Sequence, residues 1–302
     1  MSTTATTDTE ATRPAGKQDK GKRWTSTSST GAPTTVVVLR YAVLIAASIG
    51  VLIPLVWTLL SSFKSQGELG KRPPTLLPES FAPTNYVEAL SRFEFTTYLT
   101  NSVIVTIGAT VLTVVINTMC AYGLAKYNFR GRTALFILVL AMIMVPLQVI
   151  LISVYQVANT LGLVNSLWGL IIPPAATPTG VFLLRQYMLT IPDELIESAR
   201  VDGAREFPIF LRIIVPLCGP AIAVVTIFSV MWRWNDFLWP LIISQDRAKY
   251  TLPVALAQFS AEETVSFNYI LAMSVVTMLP VIIIFLFLQR HIVTGISNTG
   301  IK

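Results

Sequence analysis

Asp193-Glu-Leu-Ile-Glu-Ser-Ala-Arg-Val-Asp-Gly-Ala-Arg-Glu-Phe-Pro-Ile-Phe-Leu-Arg-Ile-Ile-Val-Pro216 sets a run of charges between two long apolar stretches. Charge is scarce elsewhere. Charged residues make up 13% of the chain, against about a quarter in a soluble domain, while hydrophobic residues make up 53% and the mean hydropathy is +0.64. In such a chain the flanking stretches read as membrane spans and residues 193–208 as a loop outside the lipid.

Working outward, apolar runs lie near 38–60, 101–125, 133–155, 166–187, 209–231 and 269–289. Each reaches the roughly 20 residues a helix needs to cross about 30 Å of hydrocarbon. The fold class that follows is an all-α membrane protein, a polytopic bundle of six transmembrane helices. Pro173, Pro174 and Pro178 interrupt the fourth run. Proline removes a backbone donor, so the freed carbonyls there need neighbouring helices or water. A kink for packing and a break beside a wet cavity both satisfy this.

Of the 22 basic residues, one alternate set of loops and ends holds the larger share: Arg13, Lys17, Lys20, Lys22, Arg23, Arg40, Lys126, Arg130, Arg132, Arg185, Arg200, Arg205, Arg212, Arg290 and Lys302. The other set holds Lys64, Lys71, Arg72, Arg92, Arg233, Arg247 and Lys249. The excess places both termini, and residues 193–208, on the cytoplasmic side. The pI near 9.4 does not point to nucleic acid, because the basic groups sit at the ends of apolar runs and form no stripe with aromatics.

Residues 1–35 are Thr, Ser, Gly and Lys with few large apolar side chains, an expected disordered cytoplasmic tail. Gly16 to Lys22 nearly spells a phosphate-binding loop, but Arg23 stands where Ser or Thr must hold magnesium and no strand precedes it. The first apolar run starts too late and runs too long for a secretory signal. Residues 36–302 form the expected membrane domain.

Within the charged segment, Ile191-Pro192-Asp193-Glu194 opens a helix, with acidic groups at the positive end of its dipole. Gly203 closes it in a left-handed conformation, predicting a short helix near 193–203. Leu195, Ser198, Ala199 and Asp202 fall at spacings of three and four and share a side. Glu197 and Arg200 flank them with charge. Small side chains there let another protein approach the backbone, whereas a loop lying on headgroups would carry more Lys and bulky apolar groups.

The segment resembles the cytoplasmic coupling loop of bacterial ABC importers, whose permease subunits carry Glu-Ala-Ala, a Gly four residues on, and an Ile-x-Leu-Pro ending. Glu197, Ser198, Ala199, Gly203, Ile213, Val215 and Pro216 are the matching residues, with Ser198 where Ala is usual and Val215 where Leu is usual. The resemblance extends over about residues 36–302, through Asn101-Ser102, Gly180 to Gln186, Trp234 to Pro240, and Gln289-Arg290 with Gly295. It is similar to the carbohydrate-uptake branch, in particular to the maltose-type second permease subunit. This implies a bacterial cytoplasmic-membrane protein in a heterodimer with a homologous permease, two cytoplasmic ATPase subunits and an external solute-binding protein, with a sugar as solute. ATP and magnesium then belong to the ATPase, and this chain binds no cofactor and performs no chemistry. The coupling residues implied are Leu195, Glu197, Ser198, Ala199, Arg200, Asp202 and Gly203.

A path for solute is less sharply written. Thr106, Thr110, Thr113 and Asn117 line one face of the second span. Such a face either packs on another helix or lines a sugar path. Gln148 beside Pro146, and Asn235 and Asp236 among Trp232, Trp234 and Trp239, admit the same two readings, the tryptophans serving as interface anchors or as stacking faces. Asp236 can pair with Arg233 or cap backbone. Cys120 and Cys218 read as buried thiols. No His/Cys cluster and no nucleophile with a base is present, so neither a metal site nor a catalytic residue is expected. An ion-gradient carrier would place ionisable groups in the spans; they have almost none, although a broken helix is common in such carriers. A permease for another solute, and a channel or purely structural membrane subunit, are the remaining alternatives.

Overall fold

The computed structural model describes residues 34–299, with side chains described for 35–286. The expected tail, 1–35, lies outside these residues except for Thr34 and Thr35, as do the side chains of Gln289, Arg290 and His291. Every element among the described residues is helical. The chain divides into two units, one ending at Ile53 and one running from Pro54. The first helix, α1 (Thr34–Ser61), passes through that boundary.

In the second unit, α2 (Gln66–Leu69) and α3 (Thr84–Arg92) sit in an otherwise irregular loop that carries Pro73, Pro74, Pro78 and Pro83. Asn85 ties the loop together: its side-chain amide donates to the carbonyls of Ser62 and Lys64 at 2.9 Å each, and its oxygen accepts from Asn268 at 2.8 Å.

The long α4 (Phe95–Lys126) is the central element. It contains no proline, and its two faces are sorted inside out. Val105, Thr106, Ala109, Thr110, Thr113 and Asn117 are buried, while Ile107, Val111, Val115 and Met119 are exposed. Steps of three and four give each face its stripe. Small and polar groups go inward and branched apolar groups outward, the pattern expected where the exterior is lipid. The helix contributes to all three apolar clusters of the unit, through Ala121, Tyr122 and Ala125, through Tyr98, and through Val105 and Ala109.

Beyond it lie α5 (Arg132–Ile143) and α6 (Leu147–Thr160), bent by 108° at Met144-Val145-Pro146. Next come α7 (Leu167–Ile171), α8 (Pro178–Met188), α9 (Glu194–Val201) and α10 (Glu206–Ile209). A π-helical turn, Phe210–Ile214, leads into α11 (Val215–Leu217) and α12 (Gly219–Asn235). The pieces before and after Cys218 meet at 78°. Then follow α13 (Leu238–Ile243), α14 (Leu252–Ala261) and α15 (Phe267–Thr299).

Among the described residues, three helices are long and apolar enough to cross a membrane, or up to five if each bent pair counts as one span. The break in the fourth run follows its prolines as expected, while the breaks in the third and fifth runs were not expected. The third run, 133–155, is broken by Pro146, and the fourth, 166–187, is two short helices separated by Pro173 and Pro174. Cys218 is buried as expected, but Cys120 is exposed on α4.

Candidate functional site

The expected helix of the charged segment is α9, eight residues long, and Gly203 follows it with φ +81. Nothing lies within 4 Å of the place where a Cβ would stand on Gly203. The glycine is therefore required by the backbone hand alone. Two backbone bonds close the turn, Gly203 N–H to the Arg200 carbonyl at 3.0 Å and Ala204 N–H to the Ala199 carbonyl at 2.9 Å.

An eight-residue helix is marginal by itself, so its position is set by what it touches. Ile196 and Ala199 are buried and enter the apolar cluster formed by Leu184, Met188, Ile209 and Ile214. Ala199 was expected on the approachable side with Leu195, Ser198 and Asp202; it faces the core instead, because the Ile196 stripe that anchors the helix continues through it. The outward surface is Leu195, Glu197, Ser198, Arg200, Asp202 and Gly203. Val201, 88% exposed, and Phe207, 64% exposed, add an apolar element that the small-residue pattern did not predict. The Glu197 carboxylate has no partner among the described residues, a charge left open on that surface.

Polar contacts hold the segment to the carboxyl end of α4. Lys126 Nζ donates to the Ile191 carbonyl at 2.6 Å and to Asp193 Oδ1 at 2.5 Å. The Lys126 side chain is 3% exposed and that of Asp193 73%. On the other flank, Glu206 accepts from Arg200 Nε at 2.7 Å and from the Tyr127 hydroxyl. Burial, and next the bond to that carboxylate, push the Tyr127 phenol above its usual range. The α4 terminus is itself secured: the Leu124 carbonyl accepts from Arg132 Nε at 2.8 Å and Arg185 Nε at 3.1 Å, and the Ala125 carbonyl from Arg132 at 2.9 Å. These are last-turn carbonyls with no helical donor, satisfied by cations where the dipole favours them. Lys126, Tyr127 and Glu206 escaped the sequence reading. Lys126 was a topology charge there, and its partners lie more than 60 residues away.

The expected polar face of α4 is turned into the bundle. Thr106, Thr110, Thr113 and Asn117 are at most 5% exposed. Thr110 bonds Ser229 of α12 at 3.0 Å. Asn117 donates to Thr177 Oγ1 at 2.6 Å and accepts from the Thr177 N–H at 3.1 Å. Thr110 and Asn117 hold α4 against its neighbours; the Thr106 and Thr113 hydroxyls are buried with no hydrogen-bond partner among the described residues. Gln148 and Asn235 are exposed, and the Asn235 amide donates to the Met231 carbonyl at 2.8 Å. Asp236 stands just before α13, whose N-cap is Phe237; Arg233 reaches the Pro174 carbonyl. Trp234 and Trp239 are interior, Trp239 donating to the Gly169 carbonyl at 3.0 Å, and Trp232 is 70% exposed.

Residues 114–298 match the family described as binding-protein-dependent transport system inner membrane component. The chain is 35% identical over 252 residues to the arabinooligosaccharides transport system permease protein AraQ of Halalkalibacterium halodurans, covering 82% of this chain and 90% of that one. It is 32% identical over 264 residues to the diacetylchitobiose uptake system permease protein NgcG of Streptomyces coelicolor, covering 86% and 87%. The sn-glycerol-3-phosphate transport system permease protein UgpE of Brucella suis is 29% identical over 268 residues, covering 86% and 95%. Among solved structures, a bacterial ABC transporter involved in the import of the acidic polysaccharide alginate superposes with a TM-score of 0.74 at 23% identity, over 85% of this chain and 96% of that one.

Proposed function

Because this chain belongs to the family of binding-protein-dependent transport system inner membrane components, we propose that it forms half of the membrane path of an ATP-driven sugar importer. As a multi-pass permease it is the non-catalytic component of the complex. A second, homologous permease completes the path, two ATPase subunits lie on the cytoplasmic side with ATP and magnesium, and an external binding protein delivers solute. The chain crosses six times, by α1, α4, α5–α6, α7–α8, α10–α12 and α15, with both termini inside, following the excess of basic residues. Residues 36–302 act as the permease domain. Relatives named for arabinooligosaccharide and diacetylchitobiose transport support an oligosaccharide as the solute.

The observation that carries the reading is α9: a short helix held to the end of α4, with Glu197 open and an outward surface fit for a partner. Leu195, Glu197, Ser198, Arg200, Asp202 and Gly203 meet the ATPase, and Ala199 supports them from behind. The test places a photocrosslinker at Ser198 in the complex purified from its own operon. Capture of the ATPase, together with loss of ATP-dependent uptake in Glu197→Lys vesicles, supports the reading. Uptake that follows an ion gradient and ignores ATP depletion overturns it. The sn-glycerol-3-phosphate relative favours a second reading in which the same machine carries a phosphorylated polyol. Competition of labelled solute uptake by each class separates the two.

A further inference from the structure

We propose that Lys126 and Glu206 are positioning residues that clasp the coupling segment to the carboxyl end of α4 at two points, so that segment and helix move as one body. The inference rests on the coupling role of α9 and assigns where its motion goes. Ile196 and Ala199 bury the helix, but apolar contact is not directional and permits sliding. The polar contacts are directional. Lys126 Nζ holds the segment before α9 by the Ile191 carbonyl and the Asp193 carboxylate. Glu206 holds the segment after it, between Arg200 of α9 and Tyr127 just beyond α4, with the Tyr122 hydroxyl at 3.5 Å. The two points bracket the helix. At 3% exposure the Lys126 side chain is largely shielded from water, so parting it from the Ile191 carbonyl and Asp193 leaves a poorly solvated cation.

The far end of α4 is fixed in the same manner. Asn101 donates to the carbonyls of Ala248 and Tyr250 at 2.9 Å each, and Ser102 Oγ accepts from the Leu252 N–H at 2.8 Å. The 25 helical steps from Asn101 to Lys126 span about 38 Å at roughly 1.5 Å per residue. A displacement of α9 is thereby delivered to the segment at 247–252 through one unbroken helix.

The experiment uses the whole complex in vesicles, with exposed Cys120 replaced by Ala and spin labels at Ser198→Cys and Met119→Cys. The distance between the labels stays the same in the nucleotide-free and ATP-bound states of the parent. In Lys126→Met it changes between states, and solute carried per ATP falls by about tenfold or more, the scale of one charge-assisted hydrogen bond. Glu206→Gln acts in the same direction. Lys71→Met, which removes an ion pair with Glu79 in the loop after α2, leaves both readouts unchanged. A parent distance that changes with nucleotide, or unchanged coupling in the clasp variants, overturns the proposal; so does an equal loss in Lys71→Met. If Lys126→Met does not assemble, Glu206→Gln decides alone. Crosslinking of the ATPase at Ser198 reports separately on the coupling role, so its failure is distinct from failure of the clasp.

Discussion

At the scale of a residue, Gly203 separates two demands that a glycine in this segment can answer. A partner surface pressed against the backbone would exclude any side chain. The fold itself asks only for a left-handed conformation, since the space around Gly203 is open and φ is +81. That conformation costs a branched residue roughly 1–2 kcal/mol, and Asn tolerates it better than most. We therefore expect Gly203→Val to lower ATP-dependent uptake by about five- to thirtyfold, the ratio those energies set, while Gly203→Asn keeps most of it. Vesicle uptake normalised to membrane content checks this. Equal loss in both variants would instead place the demand at the partner's surface. The need for glycine was legible in the sequence from its position after an acidic-to-basic helical run. The reason for it was not, because open space around a Cβ is a tertiary property.

At the scale of elements, α8 reaches α4 through a missing side chain. A Cβ on Gly180 would stand 2.2 Å from Asn117 Nδ2 and 2.6 Å from Thr177 Oγ1, the two atoms that bond each other. Gly180→Ala must therefore break that bond or part the helices. Its expected cost is about 1–3 kcal/mol, that of a buried polar group left unsatisfied, read as a lower unfolding temperature of the assembled complex. In an Asn117→Ala background the same substitution costs much less, because the clashing amide is gone; full additivity would refute the account. Elements differ in how far the sequence discloses them. Helix α9 was legible because Pro192, the acidic first turn and Gly203 are local signals. The prolines at 173, 174 and 178 disclosed the break between α7 and α8 but not that each piece would be a short helix. Pro146 carries the same signal for the 108° bend of α5–α6. The π-helical turn has no local signature. The Thr and Asn stripe of α4 was legible as a face, but whether it met a helix or a cavity depended on α8 and α12, elements that lie far along the chain.

At the scale of the whole molecule, α4 is, among the described residues, the one element that joins the coupling segment at one end to the loop at 247–252 at the other, while taking part in all three apolar clusters. If it carries displacement between them, its stiffness matters apart from its contacts. The exposed stripe allows the two to be separated. Ile107, Val111 and Val115 are 59%, 58% and 49% exposed and lie opposite the packed face, so truncating them leaves the contacts with α8 and α12 in place. Replacing all three with Gly adds backbone freedom worth about 1 kcal/mol at each site relative to Ala; replacing them with Ala removes the same branched side chains and keeps the helix stiff. The expected result is that the Gly triple variant assembles with the ATPase but carries less solute per ATP than the parent, while the Ala triple variant matches the parent. Paired measurements of uptake and phosphate release in the same vesicles supply the ratio. Equal ratios in the Gly and Ala variants would mean that the exposed side chains, or nothing on this face, govern coupling. In that case the displacement of α9 must leave by the other route the fold offers it, through Ile209 and Phe210 into the π-helical turn and α12.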